Sequence, residues 1–393
     1  MSVLRKAWRK GLPGRLHGRR PAGRGLAALL LVAGLAGLPA LSVVPHAVVP
    51  SAAVAAPAQA QTPGFAEAVA LYQAGRYAEA LQVARELALK GNAEAQAMMG
   101  VLLEHGRGTK KNIQEAASWY EKAARSGHVG AMFALAMMHL DGRLGKKDLG
   151  AAIRWAKAAA EKGHVAAAYN LGLIYSGVGG LKPDWKEAAR WFHRAAERGY
   201  PAAQYNLGVL YATGRGVEKD PITAAEWFKQ AALGGLPEAA LEYGVLVFRG
   251  EGVVKDERIG AQWLAMAARS GNPKAMVRLA RLYATGRGVE RKPVEAAKWY
   301  LLARKRGEKD TFLDLYLKRL KPAQLKEAEK LAKAFRPTKM RRATSSAKGS
   351  LRMDSRRLRL RALKQRNGLG KGGGKGRQAP KDAANGGAKG GKG

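Results

Sequence analysis

The chain contains no cysteine. That excludes a disulfide framework and any metal site built on thiolates. Acidic residues are scarce: 30 Asp and Glu stand against 69 Lys and Arg, a formal net charge of +39. The imbalance is concentrated at the ends. Residues 1–25 carry eight Lys and Arg and no acid, and residues 336–393 carry eighteen against two Asp. Histidine is limited to seven residues. No H-E-x-x-H, G-x-S-x-G or P-loop spacing occurs, which removes the commonest signatures of zinc hydrolases, serine hydrolases and nucleotide binders. Gly106-Arg107-Gly108, Gly214-Arg215-Gly216 and Gly286-Arg287-Gly288 lack the third glycine and the preceding strand of a dinucleotide fingerprint, so they read as turns. Glu187 and Glu197 fall on a solvated helix face, and no carboxylate pair is spaced for acid–base work.

What the chain has is a repeat. Gly91, Gly127, Gly163, Gly199, Gly235, Gly271 and Gly307 lie thirty-six residues apart. So do Trp119, Trp155, Trp191, Trp227, Trp263 and Trp299, and so do Ala95, Ala131, Ala167, Ala203, Ala239 and Ala275. A fixed period in this range marks a stacked array. Within one copy, Ala203, Leu207, Leu210 and Tyr211 follow helical spacing, and Pro201 suits the first position of that helix. Thr213-Gly214-Arg215-Gly216 ends it. Asp220 caps a second helix whose buried face is Ala224, Trp227, Phe228 and Ala231, and Gly235 supplies its left-handed stop. The cap column reads Asn112, Asp148, Asp184, Asp220 and Asp256, broken only by Lys292. Gly100, Ala136, Gly172, Gly208, Gly244 and Ala280 form a small-residue column in the first helix. Glycine there costs about 0.5–1 kcal/mol relative to alanine, so a neighbouring helix is expected to come too close for more. The six tryptophans are expected to fill one pocket built six times. His128 and His164 share a column just after a helix-ending glycine and read as capping or surface imidazoles.

The pattern A-x-x-x-L-G-x-x-Y-x-x-G-x-G-V-x-x-D, followed by A-A-x-W-F-x-x-A-A-x-x-G, resembles the Sel1-like repeat, a relative of the tetratricopeptide repeat. It recurs in six copies, 92–127, 128–163, 164–199, 200–235, 236–271 and 272–307. The second copy moves its loop glycine to Gly145, the third reads Gly177-Val178-Gly179-Gly180, and Leu103, His139 and Val247 stand in the tyrosine column. None of these changes the length, so the register is expected to survive. The expected fold is all-α: a solenoid of stacked helix-turn-helix repeats, capped at both ends. A hairpin over 61–91 covers one end and two helices over 308–336 the other, because terminal units of an array must shield its core.

Outside the repeats, Met1–Gly25 is basic, Leu26–Leu38 is apolar, and Ala58-Gln59-Ala60 fits a cleavage site. Residues 1–60 therefore read as an export signal, with a periplasmic or secreted product. The alternative is an uncleaved anchor in the inner membrane, for which the apolar run is short. Residues 337–393 are rich in Gly, Lys and Arg and read as a disordered basic tail. Export and the lack of aromatics beyond Phe335 argue against nucleic acid; a solubilising tail and attachment to an anionic envelope polymer or lipid are the two other readings.

The resemblance implies a non-enzymatic adaptor for a protein or peptide partner, with no cofactor and no metal. Exported members regulate envelope signalling or assembly, and some are linked to β-lactam binding, which keeps a cell-wall enzyme as the competing class. By analogy with tetratricopeptide arrays, the first helices line the binding face. Helical spacing picks out Phe133, Met137 and Leu140; Tyr169, Leu173 and Ser176; Ala202, Tyr205, Val209 and Ala212; and Leu241, Val245 and Phe248, with Lys274 and Arg281 making a basic end. The other reading of this stripe is ordinary core.

Overall fold

The computed structural model describes residues 63–340 and 342. The export segment over 1–60, and the basic tail apart from 337–340 and 342, lie outside the described residues. Among those described there are sixteen helices and no strand. Helices α1 (Pro63–Gln73) and α2 (Tyr77–Leu89) form the leading hairpin. The six repeats are α3 (Ala93–His105) with α4 (Ile113–Arg125), α5 (Val129–Asp141) with α6 (Leu149–Glu161), α7 (Val165–Tyr175) with α8 (Trp185–Glu197), α9 (Pro201–Thr213) with α10 (Pro221–Leu233), α11 (Pro237–Arg249) with α12 (Glu257–Arg269), and α13 (Pro273–Thr285) with α14 (Pro293–Arg304). Helices α15 (Thr311–Lys318) and α16 (Pro322–Ala334) close the array. Each helix from α2 to α14 packs on the one before and the one after it, and α16 packs on α14.

The second helices start where the cap column predicts. Side-chain oxygens of Asn112, Asp148, Asp184 and Asp256 accept the backbone N–H three residues on, at 2.8–3.1 Å. Asp220 accepts from Ile222, and Lys292 makes no cap. Each such cap contributes about 1 kcal/mol. The N–H of each cap residue reaches back to the first helix. It bonds the carbonyls of Leu103, His139, Tyr175, Tyr211, Val247 and Tyr283 at 2.8–3.0 Å. What recurs in the tyrosine column is thus a backbone carbonyl, so leucine, histidine and valine serve as well. Helix α7 ends two residues early at Tyr175, yet Asp184 still bonds its carbonyl, and the register survives the altered loop.

The small-residue column is explained by a ring. A Cβ on Gly100, Gly172 or Gly208 would collide with the aromatic ring of Tyr120, Phe192 or Phe228 on the partner helix. In the second repeat both sides change together, Ala136 standing in that column and Ala156 in the ring's. In the fifth, Gly244 faces Gly260: a Cβ on Gly260 would come 2.8 Å from the Gly244 carbonyl. There the two backbones themselves make the approach. The alanine column Ala95, Ala131, Ala167, Ala203, Ala239 and Ala275 is fully buried throughout.

The tryptophans do not occupy one pocket built six times. Trp119, Trp191 and Trp299 are buried, whereas Trp155, Trp227 and Trp263 are half-buried. The indole N–H of Trp191 donates to Glu187 and that of Trp299 to Glu295, at 3.1 and 3.0 Å. Burial differs because it depends on what the neighbouring repeat offers; Trp227 lies against the core and meets His193 of the preceding repeat edge-on. The start of the basic tail also departs from expectation. Phe335 lies edge-on to Trp299, the Thr338 N–H donates to the Arg269 carbonyl at 2.9 Å, and Pro337 and the Met340 carbonyl approach Gly271 and Gly235. The left-handed glycines leave room there for another strand of chain.

Adjacent repeats meet through backbone as well. The second glycine of the loop lies against the first residue of the preceding second helix: Gly108 on Tyr77, Gly216 on Trp185, Gly252 on Pro221 and Gly288 on Glu257. A Cβ at any of them would overlap that backbone. Gly199, with similar positive φ, has open space around it. Gly199→Ala should therefore cost only the left-handed penalty of about 1–2 kcal/mol. Gly216→Ala should cost at least twice as much in urea titration, and equal losses would contradict the interlock.

Candidate interaction surface

The stripe of the first helices is neither wholly open nor wholly core. Phe133, Met137, Tyr169, Leu173, Tyr205, Val209 and Phe248 are half-buried, while Leu241 and Val245 are buried. Its rings hold one repeat to the next. Phe133 stacks on His164 with centroids 4.4 Å apart, and Tyr169 lies 4.9 Å from Tyr200. His164 and Tyr200 are the residues just before the next first helix, so each ring packs on the entry of the following repeat. Tyr169 and Tyr205 also contact Phe192 and Phe228, the rings that fill the glycine column. Burial pushes the Tyr169 phenol up to about 12. Met137 accepts a 3.4 Å contact from the Asn170 amide at its sulfur. The half-open positions are what the packing leaves uncovered, and in the fifth repeat that is Phe248 alone among the three.

Beside this stripe runs a column that sequence reasoning did not single out: Met98, Ala134, Asn170, Asn206, Glu242 and Arg278. It passes from apolar to charged along the array. Burial raises the Glu242 carboxyl above the usual range, against the opposing pull of Arg278, Lys274 and Arg249. The signal was present as a thirty-six-residue column but not as a conserved residue type. Arg281, expected at the basic end of the stripe, donates to Asp310 Oδ2 at 2.7 Å, and its guanidinium lies over Phe312. The closing helix α15 therefore holds it. Among the described residues no group of three or more His, Asp or Glu is placed to hold a metal ion, and no helix is long and apolar enough to cross a membrane.

Comparison with known proteins adds a family and a fold. The Sel1 repeat model matches residues 93–128, 129–164, 165–200, 201–236, 237–272 and 273–308, more than half of the chain. A protective antigen of uropathogenic Escherichia coli, c5321, described as displaying an SLR fold, is similar in structure at 25% identity and a TM-score of 0.59. That match covers 82% of this chain and 65% of the antigen, so the chain spans just under two thirds of its relative's length. A Sel1 repeat protein from Oxalobacter formigenes matches at 29% identity and a TM-score of 0.52, over 64% of this chain and 99% of that protein. No curated protein matches the chain.

Two groups on this surface respond to pH. His128 Nδ1 accepts the Ala131 N–H at 3.0 Å and His164 Nδ1 accepts that of Ala167 at 3.1 Å, so both cap the first helix as neutral imidazoles. Burial lowers both pKa values, with Glu94 opposing at His128. A base depressed in the folded state binds protons more readily unfolded. The cap contribution is therefore full above the unfolded value of about 6.5 and is lost as pH falls below it. Asn92 and Asn272 make the same cap without titrating. The His128→Asn/His164→Asn variant should lose about 1 kcal/mol per cap less than the parent between pH 7.5 and 5, read by urea titration. An unchanged pH slope would contradict the neutral caps.

Proposed function

The chain belongs to the Sel1 repeat family, and we propose that it is an exported, non-enzymatic scaffold that binds a protein or peptide partner through its first-helix face. Sel1 repeat proteins are generally protein-interaction scaffolds, and a short array of this kind offers a continuous surface to a partner. The observation that carries the reading is the half-open apolar stripe across three consecutive repeats. Met137, Leu173 and Val209 keep the same place on α5, α7 and α9 and are left half-buried after the array has packed. A partner helix or extended segment with apolar residues at matching spacing covers such a stripe. Regulation of envelope signalling or assembly is the role that fits an exported member. The basic segment beyond residue 342 adds attraction to anionic envelope polymer or lipid, and the composition of residues 1–60 supports export.

The test uses the full chain as bait in extract of its own cells. Leu173→Glu and Val209→Glu place a charge on half-exposed positions, so the folded array should keep its helicity and melt within a few degrees of the parent. Capture of the partner should fall at least tenfold, the scale at which an interface anchor is lost. Undiminished capture by both variants would overturn the face assignment. Turnover of a β-lactam or cell-wall substrate, abolished by a single substitution, would overturn the non-enzymatic reading.

A further inference from the structure

The charged end of the face is a built feature. A cleft of about 560 Å³ opens between α11, α13 and α15, where the fifth and sixth repeats meet the closing helix. Five cations line it: Arg249, Lys255, Arg278, Arg281 and Arg287. No acidic residue lines it. Between the cations the wall is apolar, with Phe248 and Phe312 at its sides, and Phe312 is 42% exposed although it belongs to a closing helix.

The guanidinium groups are held in place. Arg281 is bonded to Asp310 and lies 5.3 Å over the Phe312 ring. Arg287 is bonded to Glu257 at 2.5 Å and lies 4.9 Å over Phe248. Each has five N–H donors, so these bonds leave others for a ligand. Arg249 pairs with Glu251 at 3.4 Å and Lys255 with Glu257 at 3.3 Å. Arg278 is exposed and makes no salt bridge among the described residues; Glu242 acts on it only at longer range. With Glu242 behind Arg278, four carboxylates thus answer five cations, and an excess of about one positive charge faces an apolar wall.

That balance selects the ligand. A polyanion such as nucleic acid or an anionic membrane is best met by a broad, unpaired basic surface. This cleft is narrow, and its excess charge is small. We propose that the cleft binds an acidic segment of a protein partner, in which one or two carboxylates flank an aromatic or aliphatic side chain. The carboxylates meet Arg278 and the free edges of Arg281 and Arg287, and the apolar side chain enters between Phe248 and Phe312. This rests on the scaffold reading and adds to it a recognition element at one end of the face.

Fluorescence anisotropy with a ten-residue peptide carrying a Glu-Phe-Glu core, and its Gln-Phe-Gln counterpart, tests the assignment on the full chain. The acidic peptide should bind at least tenfold more tightly than the neutral one. Arg278→Gln and Phe312→Ala should each weaken it at least fivefold with the melting temperature unchanged, since both side chains are exposed. The basic ends attract any acidic peptide, and the two variants leave those ends intact, so the loss reports the cleft. Equal binding of the two peptides, no binding, or equal binding by parent and variants would overturn the proposal. So would heparin or phosphatidylglycerol vesicles that lose affinity on Arg278→Gln while the peptide does not. The scaffold reading fails separately, through undiminished partner capture by Leu173→Glu and Val209→Glu.

Discussion

At four interfaces of the array, a loop glycine rests on the backbone that begins the preceding second helix. The contacts of Gly108, Gly216, Gly252 and Gly288 admit no side chain and leave little freedom of rotation between repeats. The bond from each cap residue to a first-helix carbonyl fixes where the second helix starts, and the glycine fixes where that hairpin sits on its neighbour. Two interfaces lack the glycine contact. Position 144 is leucine, and Gly180 meets nothing within 4 Å. There the stacking relies on side chains: Arg143 reaches Glu104 at 2.5 Å, and Phe133 lies on His164.

The same packing sets the character of the surface. Rings that join repeats use up part of the first-helix stripe, and what remains half-open is apolar in the second to fourth repeats. In the fifth and sixth, Glu242, Arg278 and Arg281 replace apolar and amide groups, and α15 adds Asp310 and Phe312. A partner lying along this face would meet hydrophobic contact first and charge selection at the closing end. Affinity and specificity would then come from different repeats, as the division between apolar burial and charge complementarity leads one to expect.

Much of this was legible in the sequence, because a period writes the same constraint several times. The caps at Asn112, Asp148, Asp184, Asp220 and Asp256, the glycine column and the loop turns all follow from local rules of helix ends. What was hidden depends on distant residues. The partner of Arg281 was not legible because Asp310, twenty-nine positions on, belongs to another element. The tryptophans read as equivalent because the column records their identity and not what the next repeat places over them. Residues 337–340 read as disordered from composition, yet the left-handed turns of Gly271 and Gly235 leave a shelf on which they lie. The tyrosine column accepts Leu103, His139 and Val247 because its recurring contact is made by the backbone carbonyl.

If glycine interlocks govern the array, local stability must follow them. Native-state hydrogen exchange, resolved helix by helix, measures that directly, because proteins open in contiguous units of unequal free energy. Helices α8 to α12 lie between interlocked interfaces and should show the highest opening free energies. Helices α5 to α7, flanked by Leu144 and Gly180, should open at lower cost although they are not at an end. Uniform protection across the array, or the strongest protection in α5 to α7, would contradict the account.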